Sequence, residues 1–276
     1  TDETIITGPL PADGSCTIKN NITLNADSLL NTNAAYVIIA TKKLTATAAR
    51  LTGHAISGNG TVDITAGEGA KDAVLSGITT ATSSYACDDT SESVVLNGSG
   101  RLPGGSDVSS HTHTISNSIT IAHADTLAAG ATYSIAIGKT LTGTAAFLTG
   151  DTIKGDGTVA VTALHSTLGA DLSGITATTK TAAFDATGIF EGNLGSVTTT
   201  VAANKTMTLT AALANGKTIV GTGGTVDITA GDVTKDAVLS GEGKTCWMKS
   251  EGFNEDGILV SVFEFEWTLK VKPPSS

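Results

Sequence analysis

Two histidines one residue apart, His111 and His113, are the closest thing to a metal site in this chain. Alternate residues of a strand share a face, so the two imidazoles would lie together. Spacing identifies no third ligand, and a copied part of the sequence has Cys16 in place of His113. The pair is therefore expected to be surface histidines near a loop, and no metal site is assigned. Carboxylates recur as well: Asp63 and Asp227 hold equal places in two near-identical segments, as do Lys71-Asp72 and Lys235-Asp236. Paired carboxylates on a repetitive β-fold would suit a polysaccharide lyase or hydrolase. A third version of the segment, however, carries Ala160 in the aspartate position. Active sites seldom recur in several copies, so these charges are expected on solvated faces and turns. No catalytic or cofactor-binding residue is assigned.

The remaining chemistry is sparse. Cys16, Cys87 and Cys246 form no CxxC pair and so give no zinc or redox signature. One disulfide with a leftover thiol and buried free thiols fit equally well. The turns Gly58–Asp63 and Gly155–Ala160 share glycine and aspartate with calcium-binding repeats but lack the tandem nonapeptide order. No cofactor is expected, calcium at turns being the weak exception. Glycine clusters do not precede helices, which argues against a phosphate-binding loop.

The elements that would hold these residues are strands. The chain has 276 residues, 32 glycines, 11 aromatics and only 15% charged residues, against roughly 25% in average soluble domains. Threonine, valine, isoleucine and glycine favour strands and turns, while helix formers are scarce. A net charge of −10 disfavours nucleic acid and anionic membrane as partners. No apolar run approaches the roughly 20 residues that span a bilayer.

The strands repeat. TVDITAGEGAKDAVLSG at Thr61–Gly77 returns as TVDITAGDVTKDAVLSG at Thr225–Gly241, and more loosely as TVAVTALHSTLGADLSG at Thr158–Gly174. An offset of 97 residues relates Cys16–Leu24 to His113–Ile121, Tyr36 to Tyr133 and Ile56 to Ile153. The third copy breaks that spacing. Its Thr225-Val226 pair follows Thr158-Val159 more closely than that pair follows Thr61-Val62, so a segment present in the first two units is missing from it. The expected organisation is a lead-in at 1–15, repeats at 16–241 (units about 16–112, 113–198 and 199–241) and a distinct end at 242–276. A 97-residue period also suits tandem immunoglobulin-like β-sandwiches. Losing the missing segment would open a sandwich, whereas a solenoid would lose a coil or two and restack. The expected fold is therefore all-β, a parallel β-solenoid. Gly-rich corners are placed at Ile56–Val62, Ile153–Val159 and Ile219–Val226, with Thr140, Thr142 and Thr144 facing outward. Over residues 16–241 the chain resembles the β-helical repeats of bacterial surface and secreted proteins of adhesin type, where phrases like GKTLT…I.G.GTV.I recur. The resemblance implies a style of repeat and no particular activity.

Residues 242–276 depart from the repeat and hold five of the aromatics. Phe263, Phe265, Trp267, Leu269 and Val271 alternate with polar residues, which predicts a strand with one apolar face. Such a strand would cap the open end of the solenoid or pack on a neighbouring subunit. The function expected from these features is a non-enzymatic extracellular or cell-surface scaffold, an adhesin segment or a homo-oligomeric, head-to-tail fibre subunit. A carbohydrate-active β-helix (polysaccharide lyase or phage depolymerase) is the alternative. A surface-glycan- or ice-binding module ranks third, because Thr-x-Thr pairs look scattered and interrupted by loops such as Ser83–Asp89.

Overall fold

The computed structural model describes residues 3–6, 14–25, 28, 30–65, 73–85, 94–96, 98, 101–103, 112–124, 126–127, 130–166, 169–229 and 245–268. It is a parallel β-solenoid of about 9 turns, which excludes the sandwich alternative. Strands stack on their counterparts in the next coil to build four columns. The first column holds Gly14–Ile18, Ala34–Ile38 and Ala55–Ser57. The second runs through eight strands from Glu3–Ile6 to Thr152–Gly155, and the third through seven from Val94–Leu96 to Ile219–Gly221. The fourth holds Gly188–Ile189, Thr206–Thr210 and Thr225–Thr229. The lead-in is not wholly irregular, because Ile5 and Ile6 form a strand in parallel register with Thr23 and Leu24.

Each coil uses two columns and closes through a wider arc. Three of the arcs contain a four-residue helical turn, at Ala48–Leu51, Ala145–Leu148 and Ala211–Ala214. The pair of columns in use changes along the chain. Early coils alternate between the first and second columns, middle coils between the second and third, and late coils between the third and fourth. The strands after Thr179–Phe184 do not restack on the second column. Asn193 instead bridges to Asp171, in the arc that follows the third column. The fourth column therefore lies over those arcs, and the cross-section has three sides.

The sequence copies follow this rotation. Cys16 sits in the first column and its equivalent His113 in the second. The Thr-Val-x-x-Thr strand occupies the second column at Thr61–Thr65, the third at Thr158–Thr162 and the fourth at Thr225–Thr229. Within one column, Cys16 stacks on Tyr36 and Tyr36 on Ile56, at equal steps along the chain. A full-length copy thus spans whole coils plus one side. The shortened third copy keeps the same one-side advance, so its deletion removed a coil without disturbing the phase.

Inward positions form apolar ladders. Tyr36, Ile56 and Ile78 are fully buried, as are their equivalents Tyr133, Ile153 and Ile175 one side further round. Each residue packs on its counterpart one coil away, at the roughly 4.8 Å spacing of a parallel sheet. That spacing dictates the corners. A Cβ at Gly157 would lie 2.5 Å from the Ala136 carbonyl oxygen, and at Gly60 2.6 Å from that of Ile39. Gly157→Ala is expected to cost about 1–3 kcal/mol in urea unfolding. Gly169→Ala, where nothing lies within 4 Å, should stay within about 0.5 kcal/mol; equal losses at both positions would refute the account of the corners.

Candidate functional site

His113 is not a surface residue. It occupies an inward position of Thr112–Ile115, is 1% exposed, and its Nδ1 lies 2.7 Å from Ser83 Oγ in the coil below. Its ring packs on Tyr133 in the coil above, with centroids 5.6 Å apart. The side that faces inward in the first column, where Cys16 stands, faces inward in the second as well. The histidine is therefore part of the core. His111 lies outside the described residues, so their pairing is not seen. Among the described residues no three His, Cys, Asp or Glu side chains gather as metal ligands.

The recurring aspartates are dispersed by the rotation. Asp63 faces outward on the second column, bridged to Lys43 at 3.3 Å and accepting a hydrogen bond from Ser84 Oγ. Asp227 stands opposite Thr208 on the fourth column, and Ala160 takes the equivalent place on the third. Lys71, Asp72, Lys235 and Asp236 lie outside the described residues. Cys16 is a half-buried free thiol. Cys246 pairs in register with Trp267, and Cys87 falls outside the described residues.

One repeat position holds a different ionisable residue in each copy. At the end of the helical arc the first copy has His54, the second Asp151 and the third Lys217. Lys217 reaches out and donates to the Gly195 carbonyl at 2.8 Å. Burial instead holds His54 below its ordinary value, partly offset by a hydrogen bond to the Asn31 backbone. Burial also pushes the Asp151 carboxyl up to about 6.

The C-terminal segment forms an antiparallel hairpin of Thr245–Phe253 and Leu259–Thr268. This contains the expected strand; Phe263, Phe265 and Trp267 stand opposite Ser250, Met248 and Cys246 in register. Leu269 and Val271 lie outside the described residues. Composition did not single out the residues at and beyond the hairpin turn. Ile258, Leu259, Val260 and Val262 are all exposed there.

The threonine pairs are not scattered. Even Thr82–Tyr85, which runs into the expected loop, is a strand of the second column. In the third column, Thr140–Thr144, Thr158–Thr162, Thr179–Phe184 and Thr198–Val201 lie side by side in register. Thr140, Thr158 and Thr179 make one outward rank; Thr142, Ala160, Thr181 and Thr198 make the next. Thr144 beside Thr162, and Ala183 beside Thr200, add a third. No outward position of these four strands is charged. Sequence alone hid this surface because neighbours in a rank are a whole coil apart along the chain, separated by arcs of unequal length.

These columns define a parallel β-solenoid repeat protein. The chain matches no family model, no characterised protein and no solved structure.

Asp151 yields a signed test. Its carboxyl is protonated more readily when folded, so its contribution to stability is complete below the ordinary value of 3.8 and is lost as pH rises through about 6. Asp151→Asn should therefore melt higher than the parent at pH 7 and show a smaller change between pH 4 and 7. A parent and variant with parallel pH profiles in thermal melts would contradict the assignment.

Proposed function

We propose that the chain is a non-enzymatic, extracellular structural or adhesive scaffold, acting as a surface adhesin segment or a self-assembling fibre subunit. The observation that carries this reading is the exposed apolar turn of the C-terminal hairpin. Among the described residues the hairpin's two strands pair only with each other. A two-stranded hairpin is marginal in water without a surface to rest on. Contiguous exposed apolar side chains mark interaction sites more often than they decorate a free surface. The last described coil adds support, because Ile219, Val226 and Ile228 are only partly buried where earlier counterparts are fully so. A second copy stacking on that end would cover both features and extend the parallel columns head to tail.

A polysaccharide-cleaving reading has less to stand on. Asp63 is engaged by Lys43 and Ser84 rather than by a second carboxylate. Arg50 donates to the Ser28 carbonyl at 2.7 Å, which ties two arcs together rather than lining a cleft. The test is assembly. The parent chain should sediment as species larger than one subunit and appear as rods in negative stain. The double substitution Val260→Lys, Val262→Lys should raise the midpoint concentration for association by about tenfold or more, equivalent to about 1.4 kcal/mol. A parent that stays monomeric at high concentration and adheres to no surface would sink the proposal.

A further inference from the structure

We propose that the outward face of the third column is an ice-binding surface. The face belongs to a parallel sheet in continuous register and carries threonine and alanine where the second and fourth columns carry aspartate. Its hydroxyls and methyls repeat in two dimensions, about 4.8 Å from coil to coil and about 6.6 Å between alternate residues of one strand. A ligand that fits this face must bring its own periodicity.

The sequence copies supply an independent observation. Asp63 on the second column and Asp227 on the fourth are outward aspartates at one repeat position. The copy that lands on the third column has Ala160 there, between Thr142 and Thr181. On the second column Asp63 stands between Thr45 and Ser84 and puts a charge into its rank, whereas Ala160 leaves the corresponding rank of the third column uncharged. Lys180, the one cation carried by these four strands, stands in register with the buried Val159 rather than in an outward rank and folds its amine onto the Ala177 carbonyl at 2.9 Å.

Neutrality and side-chain type select the occupant. A charged partner would find nothing to pair with. A sugar polymer is gripped by aromatic platforms and by planar carboxylate, amide or guanidinium groups, and this face has none. A second protein sheet would desolvate the hydroxyls without offering them regular partners, at a cost for each. Ordered water keeps every hydroxyl hydrogen-bonded while its cages accommodate the methyls. Ice is the uncharged, two-dimensionally periodic surface that meets these terms.

The intact chain should be taken up into slowly growing ice, shape the crystals and produce thermal hysteresis. Thr142→Lys and Thr181→Lys, in the middle rank, should each reduce uptake at least tenfold. Thr114→Lys, outward on the second column, should leave uptake unchanged. Circular dichroism and melting midpoints identify variants that retain the fold. Should neither lysine variant fold, Thr181→Val, which keeps the methyl and drops the hydroxyl, serves in their place. The proposal is overturned if ice excludes the parent, if the Thr114 variant loses as much as the Thr181 variant, or if crystalline chitin or cellulose retains the chain through this face instead. A change in sedimentation with unchanged ice uptake in the Thr181 variant would make the face a contact between copies and overturn it equally.

Discussion

Stacking of one coil on the next is the constraint on which everything else depends. Inside the stack the backbone N–H and C=O groups of each column are satisfied by neighbouring coils, so the coils must close to the spacing of a parallel sheet. At a corner this leaves no space for a side chain. Glycine therefore holds the equivalent places 60, 157 and 224, where added carbons would meet the carbonyls of Ile39, Ala136 and Ala202. Along the strands the same closeness favours flat β-branched residues outside and ladders of like residues inside. It also leaves each end of the stack with strand edges that must be met somehow.

Much of the architecture was legible in the residues. Short alternating segments between glycines marked the strands, and the shortened third copy favoured coils over sandwiches. The direction of Thr140, Thr142 and Thr144 followed from period two alone. What could not be read was phase. Nothing local says whether the long repeat makes whole coils, and that decides which faces the copies share. The surroundings of His113 were missed for the same reason. Its partners Ser83 and Tyr133 belong to strands of the preceding and following coils, joined to it only by the stacking.

The misjudged threonines and the unrecognised apolar turn share another cause. Thr-x-Thr pairs look irregular along the chain because coils differ in length: the step from Leu44 to Val62 is much shorter than the step from Ser83 to His113, yet each joins neighbours in one column. The sheet absorbs the difference in its arcs and keeps the strands aligned. Regularity therefore belongs to the columns, and the arcs carry the variation. The hairpin obeys neither rule. It is antiparallel, lies outside the repeat, and leaves the apolar side chains of its turn exposed.

The one-side advance of each copy has an evolutionary meaning. A duplication equal to whole coils would print an ancestral surface twice on the same side, lengthening it and leaving selection one face to work on. A duplication that overshoots by one side prints that surface on fresh ground. The second column carries aspartate and lysine, and a copy displaced to another side can differ there without loss to that face. Ala160 on the third column, in the place of Asp63 and Asp227, is such a difference. Imperfect phasing lets a monotonous rod acquire sides of different chemical character.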